Sequence, residues 1–512
     1  MTPQSGRWGG GYVTDTPYVP GYYRDQSPLH LNLACLLGGF AGLDLGPGRR
    51  LCYLELGCGQ GFVTLALAAC NPAWTVIGVD FNPAHIAAAR EFAATARIAN
   101  ARFIEADLAT LAAERAADDI PEVDVASLHG LWSWVTDAVR AGIVRLLARK
   151  IRPGGVVHVS YNALPAWQGA LGMQRLVHAA GKRLAAPSGR QAEAGFETVR
   201  LLAEAAAHHL RGNPFVASLI DHAGRAPLAY LAHEYMNDAW RPAFHTDVVA
   251  AFAEAKLDWV ASAKLLENFS ALMLSEEVRT VSARFDDPLL RELIKDMCLT
   301  RGLRRDVFIR GARRLPPRER DAKLGEVVLG LAYPAARFTW DFEVPFGRAA
   351  LERDFFGPIV DALAQGPRPV RELLALPELP RRDNPGELVG MLVGTDQALP
   401  LLAPPGEPDA RIRHFNAAAA GHFVRPENLN GGIALAASGG APVPCTMLDV
   451  FVAARLDEAQ SPDPAAWAAS LGAGHPEDEQ QRLRAHIDRL IAEHAPLWRQ
   501  LGALALPPRT VR

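Results

Sequence analysis

The sequence contains no long uninterrupted apolar run, although 49% of its 512 residues are hydrophobic. A helix that crosses a membrane needs about 20 consecutive, mostly apolar residues, so none is expected. The beginning of the chain, Met1 to Tyr12, is rich in glycine and lacks the apolar segment of a signal peptide. The lack of both features predicts a cytoplasmic protein that does not act at a membrane.

Cysteine is scarce, and basic residues do not exceed acidic ones. The net charge is −3, whereas binding to bulk nucleic acid requires a basic surface, so a nucleic-acid partner is not expected. The cysteines lack the spacing of metal ligands and several lie inside apolar runs, so we predict buried thiols and no metal site. They are Cys35, Cys52, Cys58, Cys70, Cys298 and Cys445.

A regular alternation of strands and helices is present in the first third of the chain. Apolar and β-branched runs predict five strands, at 51–56, 75–80, 102–105, 123–128 and 156–161. Such an alternation is typical of a parallel, doubly wound α/β sheet that binds ligands at the carboxyl ends of its strands. Similar runs at 257–263 and 305–310 are candidates for a sixth and a seventh strand.

The first strand ends in a glycine-rich loop, Glu55-Leu56-Gly57-Cys58-Gly59-Gln60-Gly61, and the second ends on Asp80, 19 positions after Gly61. Glycine is needed where the chain turns sharply and its backbone touches a ligand. An acidic residue at this spacing is typical of a ribose contact. A dinucleotide-binding loop would place its third glycine at position 62, which is Phe62. The loop therefore does not have the form that binds a pyrophosphate.

The E-x-G-x-G-x-G pattern resembles the cofactor loop of class I S-adenosylmethionine-dependent methyltransferases. This resemblance implies that Asp80 accepts hydrogen bonds from both ribose hydroxyls and that Asp107 accepts one from the adenine amino group. It places Phe81 and Asn82 at the ribose and adenine edge, and it assigns Glu55 to orienting the loop and the cofactor's amino group. The implied cofactor residues are Glu55, Gly57, Gly59, Gly61, Asp80, Phe81, Asn82 and Asp107.

Candidate catalytic residues follow the fourth and fifth strands. His129, at the end of the fourth strand, orients the methyl acceptor or takes its proton in one interpretation and is structural in the other. Tyr161 and Asn162, at the end of the fifth strand, supply a phenol and an amide that hold an acceptor amine by hydrogen bonds, or belong to an ordered loop. His129, Tyr161 and Asn162 are therefore expected to converge on the transferred methyl group.

Three longer motifs extend the resemblance: H-G-L-W-S-W-V from His129, Y-N-A-L-P-x-W from Tyr161 and H-E-Y-M-N-D-A-W-R-P from His233. In this order they resemble bacterial methyltransferases with a methyltransferase regulatory domain, among them the rickettsial protein-lysine methyltransferases. That family implies lysine N-methylation, a homodimer and an open cleft. Two alternatives stay open: a small-molecule O- or N-methyltransferase with a closed pocket, and a non-catalytic S-adenosylmethionine-binding assembly protein.

Helices dominate after residue 165. We predict four units: a cofactor-binding core at 1–165, a helical insertion at 166–245, a return to the core sheet at 246–325 and a mainly helical region at 330–512. The segment 367–402 resembles half of a winged helix, but acidic residues balance its arginines, which favours a packing module over DNA recognition. The last helix, about 478–501, has an apolar face suited to the core or to a dimer contact. The arginines of the segment 367–402 are Arg368, Arg371, Arg381 and Arg382.

Overall fold

The computed structural model describes residues 11–16, 20–46, 48–380, 383–458, 462–474 and 476–505. Two sequence-based interpretations rest partly on residues outside these ranges. The lack of a signal peptide rests on the first ten residues, and the charge balance of the segment 367–402 includes Arg381 and Arg382. Within them, no helix combines the length and the apolar character that a membrane crossing needs.

Seven strands form the central sheet: β1 (Cys52–Leu56), β2 (Thr75–Asp80), β3 (Ala101–Glu105), β4 (Val123–Leu128), β5 (Ile151–Asn162), β6 (Leu257–Ser262) and β7 (Leu303–Arg310). Their order is β3-β2-β1-β4-β5-β7-β6. The first five strands pair in parallel, and β7 is antiparallel to both β5 and β6. The predicted doubly wound sheet is confirmed, and both later strand patterns belong to it.

The fifth strand is longer than predicted. It begins at Ile151 instead of residue 156, and Pro153-Gly154-Gly155 lies inside it, where the register with β4 shifts. Because Gly154 has a φ of 77°, these residues form a bulge instead of a strand boundary. At its other end β5 continues through Asn162, which pairs with Leu303 of β7.

Helices cover both faces of the sheet because its strands are apolar on both sides. Tyr53 of β1 packs into the apolar cluster on one face, together with α1 (Pro28–Leu37), α2 (Phe62–Cys70) and α3 (Pro83–Thr95). Its neighbours Leu54 and Leu56 pack into the cluster on the other side, which includes α4 (Asp137–Lys150). This alternation follows from the two-residue period of a strand.

A helical insertion with its own apolar core separates β5 from β6. Its second helix ends at Glu204, after which Ala206 adopts a φ of 56°. Asn213 caps the next helix through its side chain. The helices between β5 and β6 are α5 (Leu171–Gly181), α6 (Ser188–Glu204), α7 (Pro214–Ala223), α8 (Leu228–Tyr235) and α9 (His245–Ala253).

The remaining helices and strands lie mainly in the C-terminal region. The helices are α10 (Ser270–Met273), α11 (Glu276–Ser282), α12 (Pro288–Cys298), α13 (Pro317–Gly325), α14 (Arg353–Ala364), α15 (Val370–Leu374), α16 (Pro385–Gly394), α17 (Ala410–Phe423), α18 (Met447–Glu458), α19 (Pro464–Leu471), α20 (Glu477–Arg489) and α21 (Ala495–Gln500). The strands are β8 (Val328–Leu331), β9 (Asp341–Val344), β10 (Gly347–Ala350), β11 (Arg368–Pro369), β12 (Ala398–Leu401), β13 (Gly432–Leu435) and β14 (Val443–Thr446).

The C-terminal region packs against the central sheet through one continuous cluster of buried apolar residues. From α14 to β12 the order of elements is helix, strand, helix, helix, strand, as in a winged helix, with β8 pairing both strands. In the last helical stretch, from Glu477 to Gln500, the side chains of Ile487, Leu490 and Trp498 pack into the same cluster. The apolar face of the last helix therefore belongs to the chain's own core. The division into four units stays a prediction.

Candidate functional site

A cavity of about 350 Å³ lies at the carboxyl ends of β1, β2 and β4, where a doubly wound sheet binds its ligands. The described residues that line it come from the glycine loop after β1, from the ends of β2, β3 and β4 and the segments that follow them, from Tyr12 and residues 20–26 before α1, and from Ala239. Most of the predicted cofactor residues are in its wall, namely Glu55, Gly57, Gly59, Asp80, Phe81 and Asp107.

The glycine loop turns sharply because three of its residues have positive φ angles, 74° at Gly57, 53° at Gly59 and 75° at Gly61. The N–H group of Gly57 donates to the Val79 carbonyl oxygen, 2.8 Å away, which holds the loop against β2. Gly61 is not part of the cavity wall. A Cβ atom at this position would lie 2.5 Å from the Phe103 ring, so Gly61 is required for packing and not for ligand contact.

Asp80 presents a fixed carboxylate at the end of β2. Its Oδ2 accepts a hydrogen bond from the Gly59 N–H group and its Oδ1 accepts one from the Asn82 N–H group, each 2.9 Å long. His85 Nδ1 lies 3.4 Å from Oδ1. A carboxylate has about four lone-pair sites, so both oxygens keep capacity to accept from a pair of adjacent hydroxyl groups.

Asn82 supports Asp80 and does not contact the cavity, which corrects its predicted place at the ribose edge. Its side-chain Oδ1 accepts a 2.9 Å hydrogen bond from the Ala84 N–H group and caps α3. Phe81 and Asp107 do line the cavity, and Asp107 Oδ1 accepts a 2.8 Å hydrogen bond from the Ala109 N–H group. Asn82 is thus outside the cavity lining, and contact of Phe81 and Asp107 with a cofactor stays a prediction.

Glu55 lies at the floor of the cavity with 5% of its surface exposed. Its Oε1 accepts a 3.1 Å hydrogen bond from Gln26 Nε2, and its Oε2 accepts a 2.5 Å hydrogen bond from Thr64 Oγ1. Burial raises the pKa of the Glu55 carboxyl to about 7. A cationic group in the cavity would favour the ionised form, so this carboxyl is suited to hold an ammonium group.

Of the three candidate catalytic residues, only His129 is among the described residues that line the cavity. Its imidazole stacks on the Tyr23 ring, with 4.0 Å between the ring centroids. Burial lowers the pKa of His129 to about 4. The ring is therefore neutral near pH 7.

Tyr161 is not at the acceptor rim, so this prediction was wrong. Its side chain is fully buried, and its hydroxyl group donates to Asp306 Oδ2 over 2.5 Å. Asp306 also accepts hydrogen bonds from Arg304 and from Trp259 Nε1. Adjacent residues of a strand point to opposite faces, and because β5 continues through Asn162, Tyr161 is turned into the core.

Asn162 is also absent from the described cavity wall. Its Nδ2 donates a 3.0 Å hydrogen bond to Glu234 Oε1, and its backbone N–H group donates to Ser133 Oγ over 2.8 Å. Burial raises the pKa of the Glu234 carboxyl to about 7. Asn162 therefore connects β5 to the H-E-Y-M-N-D motif instead of holding an acceptor.

The H-E-Y-M-N-D motif holds the segment before α1 over the cavity. The Val13 N–H group donates to Asn237 Oδ1 over 2.8 Å, across 224 positions of sequence. His233 Nε2 donates a 2.8 Å hydrogen bond to the Thr16 carbonyl oxygen. The sequence patterns identified this motif, but they gave no indication of its partner segment.

Tyr12 and Tyr23 form part of the cavity wall and were not among the predicted site residues. Tyr12 meets the Phe81 ring edge-on, with 5.5 Å between centroids, and Tyr23 stacks on His129. The signal that could have found them is the density of tyrosine in the segment before the first helix. Together with Trp134 they make much of the wall aromatic.

Two parts of the chain match known protein families. Residues 54–155 match a family described as a methyltransferase domain, and residues 227–310 match one described as "Predicted methyltransferase regulatory domain". The chain is 34% identical over 366 residues to the uncharacterized protein sll1526 of Synechocystis sp., covering 72% of this chain and 71% of that protein. It is 33% identical over 215 residues to the trans-aconitate 2-methyltransferase of Methylobacterium radiotolerans, covering 41% of this chain and 67% of that protein.

The fold of the whole chain has a counterpart among solved structures. PKMT2 from Rickettsia typhi, in complex with AdoHcy, matches with a TM-score of 0.68 at 15% sequence identity. The match covers 96% of this chain and 100% of that chain, so the shared fold extends beyond the sheet to the insertion and the C-terminal region.

Proposed function

We propose that this chain, which belongs to the class I S-adenosylmethionine-dependent methyltransferases with a methyltransferase regulatory domain, methylates the side-chain amine of a protein lysine. The reaction class and the cofactor follow from membership of the family. The lysine acceptor rests on the composition of the cavity wall and on the resemblance of three motifs to the rickettsial protein-lysine methyltransferases.

The cavity wall is acidic and aromatic. The described residues that line it include no arginine and no lysine, whereas three of them are the carboxylic acids Glu55, Asp80 and Asp107. Tyr12 and Tyr23 add π faces that attract a cation. Such a wall favours a neutral or cationic amine over an anionic acceptor, because like charges repel more strongly where water is excluded.

The same residues fit S-adenosylmethionine. Asp80 offers two oxygens to the adjacent hydroxyls of a ribose, and Glu55 offers a carboxylate to an α-amino group. No atom lies within 4 Å of a Cβ built on Gly59, so a ligand has room against the backbone there. When bound, the cofactor supplies an electrophilic methyl group on its sulfonium sulfur.

The lysine releases its proton to bulk water, because burial lowers the pKa of its amine. A lysine amine has an ordinary pKa of about 10.4 and must lose its proton before it attacks. Exclusion of water around the amine lowers this pKa, and the positive charge of the bound cofactor's sulfonium lowers it further, which opposes the attraction of the wall's carboxylates and π faces for the ammonium form. His129, whose pKa is about 4, is a weak base for such a proton, so we assign it to positioning.

Alignment of the amine with the methyl group then accounts for most of the rate. Well-oriented reactants gain roughly 7 to 11 kcal/mol over reactants that meet in solution. The walls contributed by Tyr23 and Trp134 exclude water and limit the directions from which the amine approaches. The transfer itself is an in-line displacement, in which the new N–C bond forms as the S–C bond breaks.

A small-molecule O-methyltransferase is the second candidate, favoured by the similarity to a trans-aconitate 2-methyltransferase. A tricarboxylate acceptor calls for cationic partners, because isolated carboxylates are costly to bury. The described cavity wall provides no arginine or lysine for this purpose. The charge of the wall thus favours the amine acceptor.

The two candidates are separated with S-adenosylmethionine labelled in its methyl group. The enzyme is incubated with a bacterial lysate, with the same lysate after acetylation of its lysines, and with trans-aconitate alone, and the Asp80→Ala variant serves as the control. We expect label in the protein fraction that is stable to mild base and absent from the acetylated lysate. Label in small molecules, or as base-labile methyl esters, would refute the lysine acceptor.

A further inference from the structure

Three side chains from distant parts of the sequence meet beside the cavity, and His129 is the one that lines it. Asp25 lies just before α1, His129 follows β4 and His158 is in β5. One potential ligand atom from each lies within 4.8 Å of the other two, and His158 Nε2 is 3.8 Å from Asp25 Oδ2. No metal site was expected from the sequence, because that expectation rested on the spacing of the cysteines and this cluster contains none.

Each of these side chains has a buried polar atom without a hydrogen-bond partner among the described residues. The three atoms are Asp25 Oδ2, His129 Nδ1 and His158 Nε2. Asp25 is 5% exposed and His158 is fully buried. Buried polar atoms in proteins are nearly always satisfied; Asp25 Oδ2 has an ionic contact with Arg305, whereas the two imidazole nitrogens are left with lone pairs or N–H groups that a shared partner could satisfy.

His158 is held as metal-binding histidines are held. Its Nδ1 lies 3.0 Å from Ser127 Oγ, which leaves Nε2 directed at the cluster. Ser127 Oγ also accepts a 3.1 Å hydrogen bond from Gln26 Nε2, and the same Gln26 amide donates to Glu55 Oε1. An oxygen partner on the second ring nitrogen fixes the tautomer and the orientation of a ligating imidazole.

We propose that Asp25, His129 and His158 bind one divalent first-row transition-metal ion beside the cofactor cavity. Two imidazoles and a carboxylate form a donor set that suits Zn²⁺ or Fe²⁺. The His129 and His158 ring centroids are 5.9 Å apart. Two imidazoles on one tetrahedral ion, with metal–nitrogen bonds of about 2.1 Å, have centroids roughly 5 Å apart, so the site requires only a small contraction.

Arg305 carries a positive charge beside Asp25, and this charge weakens the binding of a metal cation. Its Nε lies 2.9 Å from Asp25 Oδ2, yet neither atom has a hydrogen-bond partner among the described residues, so the contact lacks hydrogen-bond geometry. The guanidinium is 25% exposed and can turn toward solvent. Arg305→Gln is therefore expected to tighten metal binding, because a positive charge beside the carboxylate is removed.

The site leaves at least one coordination position open on a tetrahedral ion. His129 is the ligand that lines the cavity, so this position adjoins the cofactor site. Neither the metal site nor its test depends on which acceptor is methylated.

The test uses the untagged full-length protein. Metal content is measured after purification, and the protein freed of metal with a chelator is titrated with Co²⁺ and Zn²⁺. We expect about one equivalent of Co²⁺ with visible absorption bands, and binding weaker by more than about tenfold in Asp25→Asn and His158→Gln. Ser127→Ala should weaken binding by about 10- to 100-fold, because it removes the partner of the His158 ring.

His178→Gln is the control, since His178 bonds to Asp238 in the helical insertion, outside the cluster. It should bind metal like the parent protein. The proposal is overturned if the parent shows no saturable Co²⁺ binding up to about 100 µM, a result that does not depend on whether any variant folds. Undiminished binding by a folded Asp25→Asn or His158→Gln variant would also overturn it.

Discussion

Replacement of Asp80 by alanine should weaken the binding of S-adenosylmethionine by about 2 to 3 kcal/mol. The carboxylate offers both of its oxygens to a ribose, and hydrogen bonds to charged groups contribute about 1.5 to 3 kcal/mol each. The variant also leaves the N–H groups of Gly59 and Asn82 without their acceptor, which loosens the loop. At 1.4 kcal/mol per tenfold change, the dissociation constant should rise about 30- to 150-fold.

Isothermal calorimetry with the cofactor measures this change, and Glu105→Gln provides the matched control. Glu105 is the neighbour of Asp80 in the β2–β3 register, is exposed, and is not part of the described cavity wall. It should bind the cofactor like the parent protein. Asp80→Asn tests charge at nearly constant shape and should also weaken binding, since an amide cannot accept at both positions.

Melting temperatures separate loss of contact from loss of structure. If Asp80→Ala melts near the parent protein and binds the cofactor within about twofold, Asp80 is not a ribose ligand and the reasoning from the strand end fails. If the parent protein itself does not bind the cofactor, the cofactor assignment fails with it.

Three further predictions concern separate parts of the chain. Burial holds the pKa of Glu55 near 7 in the free protein, and Glu55 must ionise to pair with the ammonium group of S-adenosylmethionine. The affinity for this cofactor, measured by calorimetry, should therefore rise about 8-fold from pH 6 to pH 7.5. A rise of the same size in Glu55→Gln would refute this explanation. Tyr161→Phe removes a donor from buried Asp306 and should lower the free energy of unfolding in urea by about 1 to 2 kcal/mol at unchanged cofactor affinity. A loss of turnover at full stability would return Tyr161 to the acceptor site. Leu201 and Leu202 of α6 are 57% and 39% exposed, so we predict that the protein forms a homodimer through this helix. Light scattering should show a dimer for the parent protein and a weaker dimer for Leu201→Glu. A monomeric parent protein at micromolar concentration would contradict the prediction.

The cofactor side of the site could be predicted because its determinants are local. A strand, three glycines, a helix and a second strand ending on Asp80 occupy one short β-α-β unit, and the positive φ angles at Gly57 and Gly59 follow from that geometry. The role of Gly61 was misassigned, since its close neighbour is the Phe103 ring on another strand. Contacts of that kind depend on packing between elements, which spacing in the sequence does not encode.

The acceptor side was predicted poorly, for two different reasons. Tyr161 was expected at the acceptor rim, although it shares the two-residue period of Val157 and Val159, which places it in the same buried cluster. The segment that carries Tyr12 is held over the cavity by contacts with Asn237, His233 and Asp238, more than 200 positions away. The period of β5 could have corrected the first expectation, whereas these long-range contacts are invisible to a local pattern.

The regulatory-domain region, residues 227–310, has two structural roles that bear on specificity. It supplies β6 and β7, which complete the central sheet, and the motif that begins at His233 in α8, which fixes the segment bearing Tyr12. The predicted cofactor residues all lie within the methyltransferase domain at 54–155, whereas Tyr12 and Tyr23 come from outside it. If the acceptor is selected by the aromatic wall, Tyr12 and Tyr23 from outside the methyltransferase domain take part together with His129 and Trp134 from within it, and a change of acceptor among relatives requires no change in the glycine loop or Asp80.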